Sequence, residues 1–218
     1  MKIFYDENQV IQGQSMLDVL SNIGQSDRLT NTYSDEIRCG SAVTINSVLL
    51  TKGATGFYDL SKKLGLNLNS LTYENIHLAQ EKLMDKVSGA KGLSISKNID
   101  KNQIIGGTLV DALNIADLRW STDAVKKVNG SFQDDINNYF KTNSNGVIIL
   151  TGSLDKDLNK MVFNKTTDHS ALLSYKNNKF IITDTSGRNG TGLNNIELND
   201  KDLQEIYTSN QTFIKIIN

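Results

Sequence analysis

The hydrophobic periodicity of this chain changes at Gly146, and that change limits the folds open to it. Before Gly146, apolar residues recur at helical spacing between glycine breaks; after it, they come in short runs and alternations of the strand type. Ala42, Val43, Ile45, Val48, Leu49 and Leu50 trace one apolar, buried helix. Another covers 55 to 64 and stops at Gly65, and a longer one runs from about 72 to 88 with Ile76, Ala79, Leu83, Met84 and Val87 on one side. Ser15 caps a short helix through Asn22 that Gly24 ends. Shorter helices are expected at 107 to 117, 121 to 128 and 131 to 142, the last capped by Ser131 with Asp134 three residues on.

Beyond Gly146, residues 147 to 150 read as a buried strand. The runs 168 to 175 and 179 to 184 flank the turn-prone Asn177-Asn178, the pattern of a β-hairpin. A short helix over 200 to 207 precedes a final strand over 212 to 217. The expected fold class is α+β in a single domain, a helical N-terminal lobe over 1 to 145 packed on an antiparallel, sheet-rich lobe over 146 to 218.

A chain of 218 residues is long enough to bury a full core without metals or disulfides. With 38% apolar and 22% charged residues and a net charge of −1, it carries no block of one sign. Nucleic acid and anionic membrane surfaces are therefore not expected partners. No apolar run approaches the roughly 20 residues of a membrane span, and the first residues lack a signal-peptide core. The expected location is the cytoplasm, or outside the cell by a route that reads no N-terminal signal. Proline is absent while Asn, Ser, Lys and Ile are abundant, an association with AT-rich bacterial or phage genomes.

One cysteine excludes an internal disulfide, and one thiol with two isolated histidines does not make a zinc site; no metal and no cofactor is expected. That thiol, Cys39, lies in Ile37-Arg38-Cys39-Gly40-Ser41-Ala42, where a polar loop turns into the apolar helix. A thiol with a pKa of about 8.5 becomes a better nucleophile where a helix N-terminus and a neighbouring imidazolium favour the thiolate. Gly40 removes side-chain bulk where a substrate carbonyl must approach, and the Cys39 N–H faces the developing oxyanion.

His169 and Asp184 lie on the two strands of the expected hairpin. If Lys176-Asn177 is the turn they are directly opposite; if Asn177-Asn178 is, they are diagonal neighbours on one face, at the end of the stripe of Ala171, Leu173, Tyr175, Phe180 and Ile182. A three-residue loop puts them on opposite faces. A cleft between this stripe and the Cys39 helix is the expected site. His77, in a helix beside Glu74 and Glu81, reads as solvated surface. Gly187, Gly190 and Gly192 read as a loop bordering the cleft.

These segments resemble the papain-like cysteine peptidase superfamily. Cys39-Gly40 opening an apolar helix is similar to its nucleophile helix. Asp168-His169-Ser170-Ala171-Leu172-Leu173 and Phe180-Ile181-Ile182-Thr183-Asp184 are similar to the histidine strand and the strand that ends in the third catalytic residue. The step from His169 to Asp184 resembles that of bacterial branches, the peptidase C39-like group and the YopT class of effector proteases. The resemblance implies a papain-like fold with Cys39 as nucleophile, His169 as general base and then acid, and Asp184 orienting the imidazole. Many relatives carry an oxyanion-hole glutamine six residues before the cysteine, where this chain has Tyr33. Gln25 and Asn31 are the candidate donors beside the Cys39 backbone. Gly40, Trp120 and Asp168 are candidate cleft residues, with packing as the other role for Trp120.

The expected function is a cysteine peptidase acting on a protein or peptide, in the setting of a bacterial secreted effector or toxin. The same triad also serves deamidases, transglutaminases and acyltransferases. A non-catalytic binding domain on the same scaffold is the alternative of another class.

Overall fold

The structure, a computed structural model, describes residues 11, 15–20, 39–88, 107–121, 132–155, 160–162, 169–184, 194–208 and 213–217. Helices α1 (Met16–Leu20), α2 (Cys39–Lys63), α3 (Tyr73–Ser88) and α4 (Gly107–Ile115) come first. Strand β1 (Arg119–Ser121) and helix α5 (Phe132–Thr142) follow. Then come β2 (Ile148–Asp155), β3 (Lys160–Val162), β4 (His169–Lys176), β5 (Lys179–Asp184), β6 (Asn194–Leu198), α6 (Asp200–Thr208) and β7 (Phe213–Ile217). The protein is α+β, a set of helices around one antiparallel sheet of order β1-β7-β2-β4-β5-β6, with β3 paired to β2.

Helix α2 is the centre of the helical layer. Every residue from Cys39 to Leu49 is buried, including Ser41, Thr44, Asn46 and Ser47. Hydroxyls survive there because each can donate to a carbonyl one turn back. Thr44 Oγ1 donates to Gly40 O at 2.8 Å and Ser47 Oγ to Val43 O at 2.7 Å. The two helices expected around Cys39 and over 55 to 64 form one element broken at Gly53, where φ 65° and ψ −161° leave the helical region. Only glycine adopts that conformation readily.

The other helices follow their caps. Thr72 Oγ1 accepts the Asn75 N–H at 3.1 Å and starts α3. Asn199 and Asp202 exchange side-chain to backbone bonds, both at 3.0 Å, in a capping box that starts α6. At the end of α4, Asp117 turns the chain at φ 49°. The expected helix over 121 to 128 is corrected at its first residue: Ser121 closes β1, which pairs with β7, and 122 to 128 lie outside the described residues.

Both faces of the sheet are covered. On one face, α2 and the flanking helices bring Val43, Ile45, Val48 and Leu49 against Val147, Ile149, Leu172, Ile214 and Ile216. On the other, Ile136, Tyr139 and Phe140 of α5 and Leu203 of α6 gather Ile148, Leu150, Ala171, Leu173, Phe180 and Ile182. The two sets alternate along β2 and β4, as the two-residue period of a strand demands. The lobes are therefore not separate in sequence: β1, from the first 145 residues, joins the sheet, and α5 covers its far face.

Candidate functional site

Cys39 is the first residue of α2 and 2% exposed, and Gly40 beside it is buried. Helix α2 packs on β4, and its Leu50 lines one cavity together with Ser174, Tyr175 and Lys176 at the hairpin end of that strand. Cys39 lies eleven residues before Leu50 on the helix, about 16 Å at 1.5 Å per residue and about 20° off the same stripe.

The hairpin closes on Asn177 and Asn178, with φ of 54° and 63°. Both angles are positive, as a type I′ two-residue turn requires, and asparagine tolerates them better than other non-glycine residues. The register pairs Lys176 with Lys179 and Ala171 with Asp184. Positions 169 and 184 are thus diagonal neighbours on one face, the second of the three geometries that the sequence left open.

That face is the one covered by α5 and α6. Positions 169 and 184 share the face of Ala171, Leu173, Phe180 and Ile182, whereas α2 packs on the face of Leu172. The ladder between β2 and β4 is regular down to the pair of Gly152 and His169, so no bulge reverses the alternation. The expected cleft between the Ala171 stripe and the Cys39 helix is corrected here: stripe and helix lie on opposite sides of the sheet. On the α2 side of the same strands, the positions next to 169 and 184 are Ser170 and Thr183, 4% and 1% exposed. Small side chains at such positions let a helix approach a sheet closely.

Trp120 stands on β1, three strand spacings or about 14 Å from β4 in the sheet order. It packs against the core under α2, and its Nε1 donates to Asn114 Oδ1 at 3.2 Å. Gln25, Asn31, Tyr33, Asp168 and the glycines at 187, 190 and 192 lie outside the described residues. His77 is not solvated surface: it is 3% exposed, on the inward stripe of α3 with Tyr73, Ile76, Gln80 and Met84. Glu74 and Glu81 drew attention to the charged flank of that helix, although the spacing of 73, 77, 80 and 84 already marks a buried row.

Two buried amides escaped the sequence reading. Asn46 in α2 and Gln80 in α3 are both 0% exposed, and neither side chain makes a hydrogen bond with a described residue. Midway along α2, just before the break at Gly53, Lys52 Nζ donates to Asp117 O at 2.8 Å and to Ala116 O at 3.4 Å, capping α4. Burial, and then the Lys63 ammonium, lower the Lys52 pKa, with Asp59 opposing. Lys63 in turn pairs with the Asp117 carboxylate. Among the described residues no three His, Cys, Asp or Glu side chains converge as a metal set. No described helix is long and apolar enough to cross a membrane. Compared with family models, curated proteins and solved structures, the chain shows no match.

Proposed function

We propose that the chain is a papain-like cysteine peptidase acting on protein or peptide substrates, with Cys39 as its nucleophile. The observation that supports this is Cys39 as the first residue of the buried helix α2, which packs on β4 in an α+β protein. In this mechanism His169 takes the thiol proton and the Cys39 sulfur attacks an amide carbonyl. The tetrahedral oxyanion is met by the Cys39 N–H, and the imidazolium returns its proton to the departing amine. Water, deprotonated by His169, then attacks the thioester and frees the acid and the thiol. Asp184 holds the imidazole in register. Deamidation or acyl transfer by the same groups, and the setting of a secreted bacterial effector, belong to the same proposal.

A second reading is favoured by the opposed faces of the sheet. If His169 and Asp184 serve the α5 side and Cys39 the α2 side, the scaffold is a binding domain and the thiol is a small core side chain. Alkylation of Cys39 by iodoacetamide across pH, followed by intact mass, separates the two. At 2% exposure the absolute rate also reports opening of the site, so the inflection of the profile is the quantity read. A coupled pair gives an inflection well below pH 8 that moves up in His169→Ala. An inflection at about 8.5 or above, the same in both proteins, refutes the peptidase.

A further inference from the structure

We infer that the cavity at the hairpin end of β4 is a binding site for a carboxylate carried on a compact apolar body. The cavity holds about 220 Å³ and lies between α1, Leu50 of α2, the turn from α5 into β2, and the last residues of β4. About 30 Å³ is the share of one water in the liquid, and a cavity of about 150 Å³ accepts a benzene ring. The space therefore suits a branched or aromatic group of six to nine heavy atoms, by order of magnitude.

Its floor is apolar, made by Met16, Leu17, Leu50 and Val147. A methionine thioether adapts to irregular shapes, which suits a pocket that must close on a ligand. The rim carries the charge. Among the described residues, Lys176 is the one cationic residue of the lining, and none of the described lining residues is Asp or Glu. Across the hairpin Lys176 is paired directly with Lys179, an arrangement of like charges that an anion relieves. Glu197 neutralises Lys179 at 2.7 Å, while Lys176 makes no ion pair with a described residue. The lysine left without a described ion partner is the one that lines the cavity. Ser144 and Asn145, exposed on the adjoining turn, add neutral donors beside it. Two sources present this chemistry, a free small carboxylic acid and the C-terminal residue of a peptide with a large apolar side chain. The site lies about 16 Å from Cys39 along α2, so it stands whether or not that thiol is catalytic.

The probes are 4-methylpentanoate, its neutral amide, and the tripeptide Gly-Gly-Leu with a free or an amidated terminus, titrated into the whole chain and followed by amide chemical shifts. The expected result for the acid is saturable shifts at 144 to 147 and 174 to 176, with a Kd of about millimolar for so few atoms. The amide and the Lys176→Met variant each bind at least about fivefold more weakly, as loss of a charge-assisted bond at an exposed site predicts. Leu50→Phe, which fills the floor, abolishes the shifts, with circular dichroism verifying its fold; Lys176→Met, at an exposed position, is the variant that stands if it does not. Gly-Gly-Leu binding through its free terminus assigns the peptide source, and binding of the acid alone assigns the small-molecule source. Equal binding of acid and amide, or no shifts at these residues up to about 20 mM, overturns the assignment.

Discussion

Replacing Tyr139 with Phe tests how the two ends of the sheet's second core are joined. The Tyr139 hydroxyl lies 2.9 Å from Val147 O and 2.5 Å from Ile216 O, where β2 and β7 begin to pair. Val147 O also accepts the Ile216 N–H at 3.0 Å, so the loss in Tyr139→Phe falls mainly on the Ile216 carbonyl. A buried acceptor stripped of its donor costs about 1–3 kcal/mol. At about 2 kcal/mol, a domain of this size melts about 4–8 °C lower. The sign of the pH dependence follows from the phenol. Burial pushes its pKa up, so the folded protein holds a proton that the unfolded chain releases above about pH 10. The advantage of Tyr139 over Phe is then complete below pH 10 and shrinks as pH rises beyond it, by about 1.4 kcal/mol per unit. Urea unfolding of both proteins at pH 7, 10 and 11 measures this difference directly, and other tyrosines and lysines cancel between them. Equal midpoints at pH 7, or a gap that does not narrow above pH 10, refute the reasoning.

Two further perturbations follow from the same structure. A Cβ on Gly146 meets Tyr139 Oη at 2.6 Å and Asn143 O at 2.9 Å, so Gly146→Ala is expected to cost about 1–3 kcal/mol; in the Tyr139→Phe background the cost falls, and strict additivity in the double-mutant cycle argues against the contact. Gln80→Met keeps length and volume while removing a buried amide that makes no hydrogen bond with a described residue; it is expected to raise the unfolding free energy by about 1 kcal/mol, read as a higher denaturant midpoint, and a lower midpoint means that the amide is satisfied in solution.

Local chemistry made much of this fold readable. The hairpin was legible because two asparagines in succession supply the positive φ angles that its turn needs, and Gly146 was legible because periodicity changes there. Strands β1, β3 and β6 were not: two of them have three residues each, and Asn194-Asn195 at the head of β6 has no strand pattern. The candidate site shows where sequence stops. Parity placed 169 and 184 on one face, yet parity says nothing of which helix covers that face. The signal was present in Ile148-Ile149-Leu150, since consecutive apolar residues on a strand need cover on both sides. α5, with Ile136, Tyr139 and Phe140 on one stripe, is the second cover, and once it is placed α2 has only the Leu172 side. The burial of His77 was missed because Glu74 and Glu81, three residues before it and four after, border its side of α3 and read as a charged face, although both are half-buried.

The break in α2 at Gly53 divides a rod of 25 residues into two, and the two halves answer to different neighbours. Lys52 stands just before the break and Lys63 closes the second half, yet both reach residue 117 at the end of α4, one through its carbonyl and the other through its carboxylate. Asp117 thereby acts as a guy-rope across the elbow, holding the angle from outside the helix. Amide hydrogen exchange in the two halves should then be synchronous in the native chain, and cutting the tether at Asp117 should let the second half exchange ahead of the first.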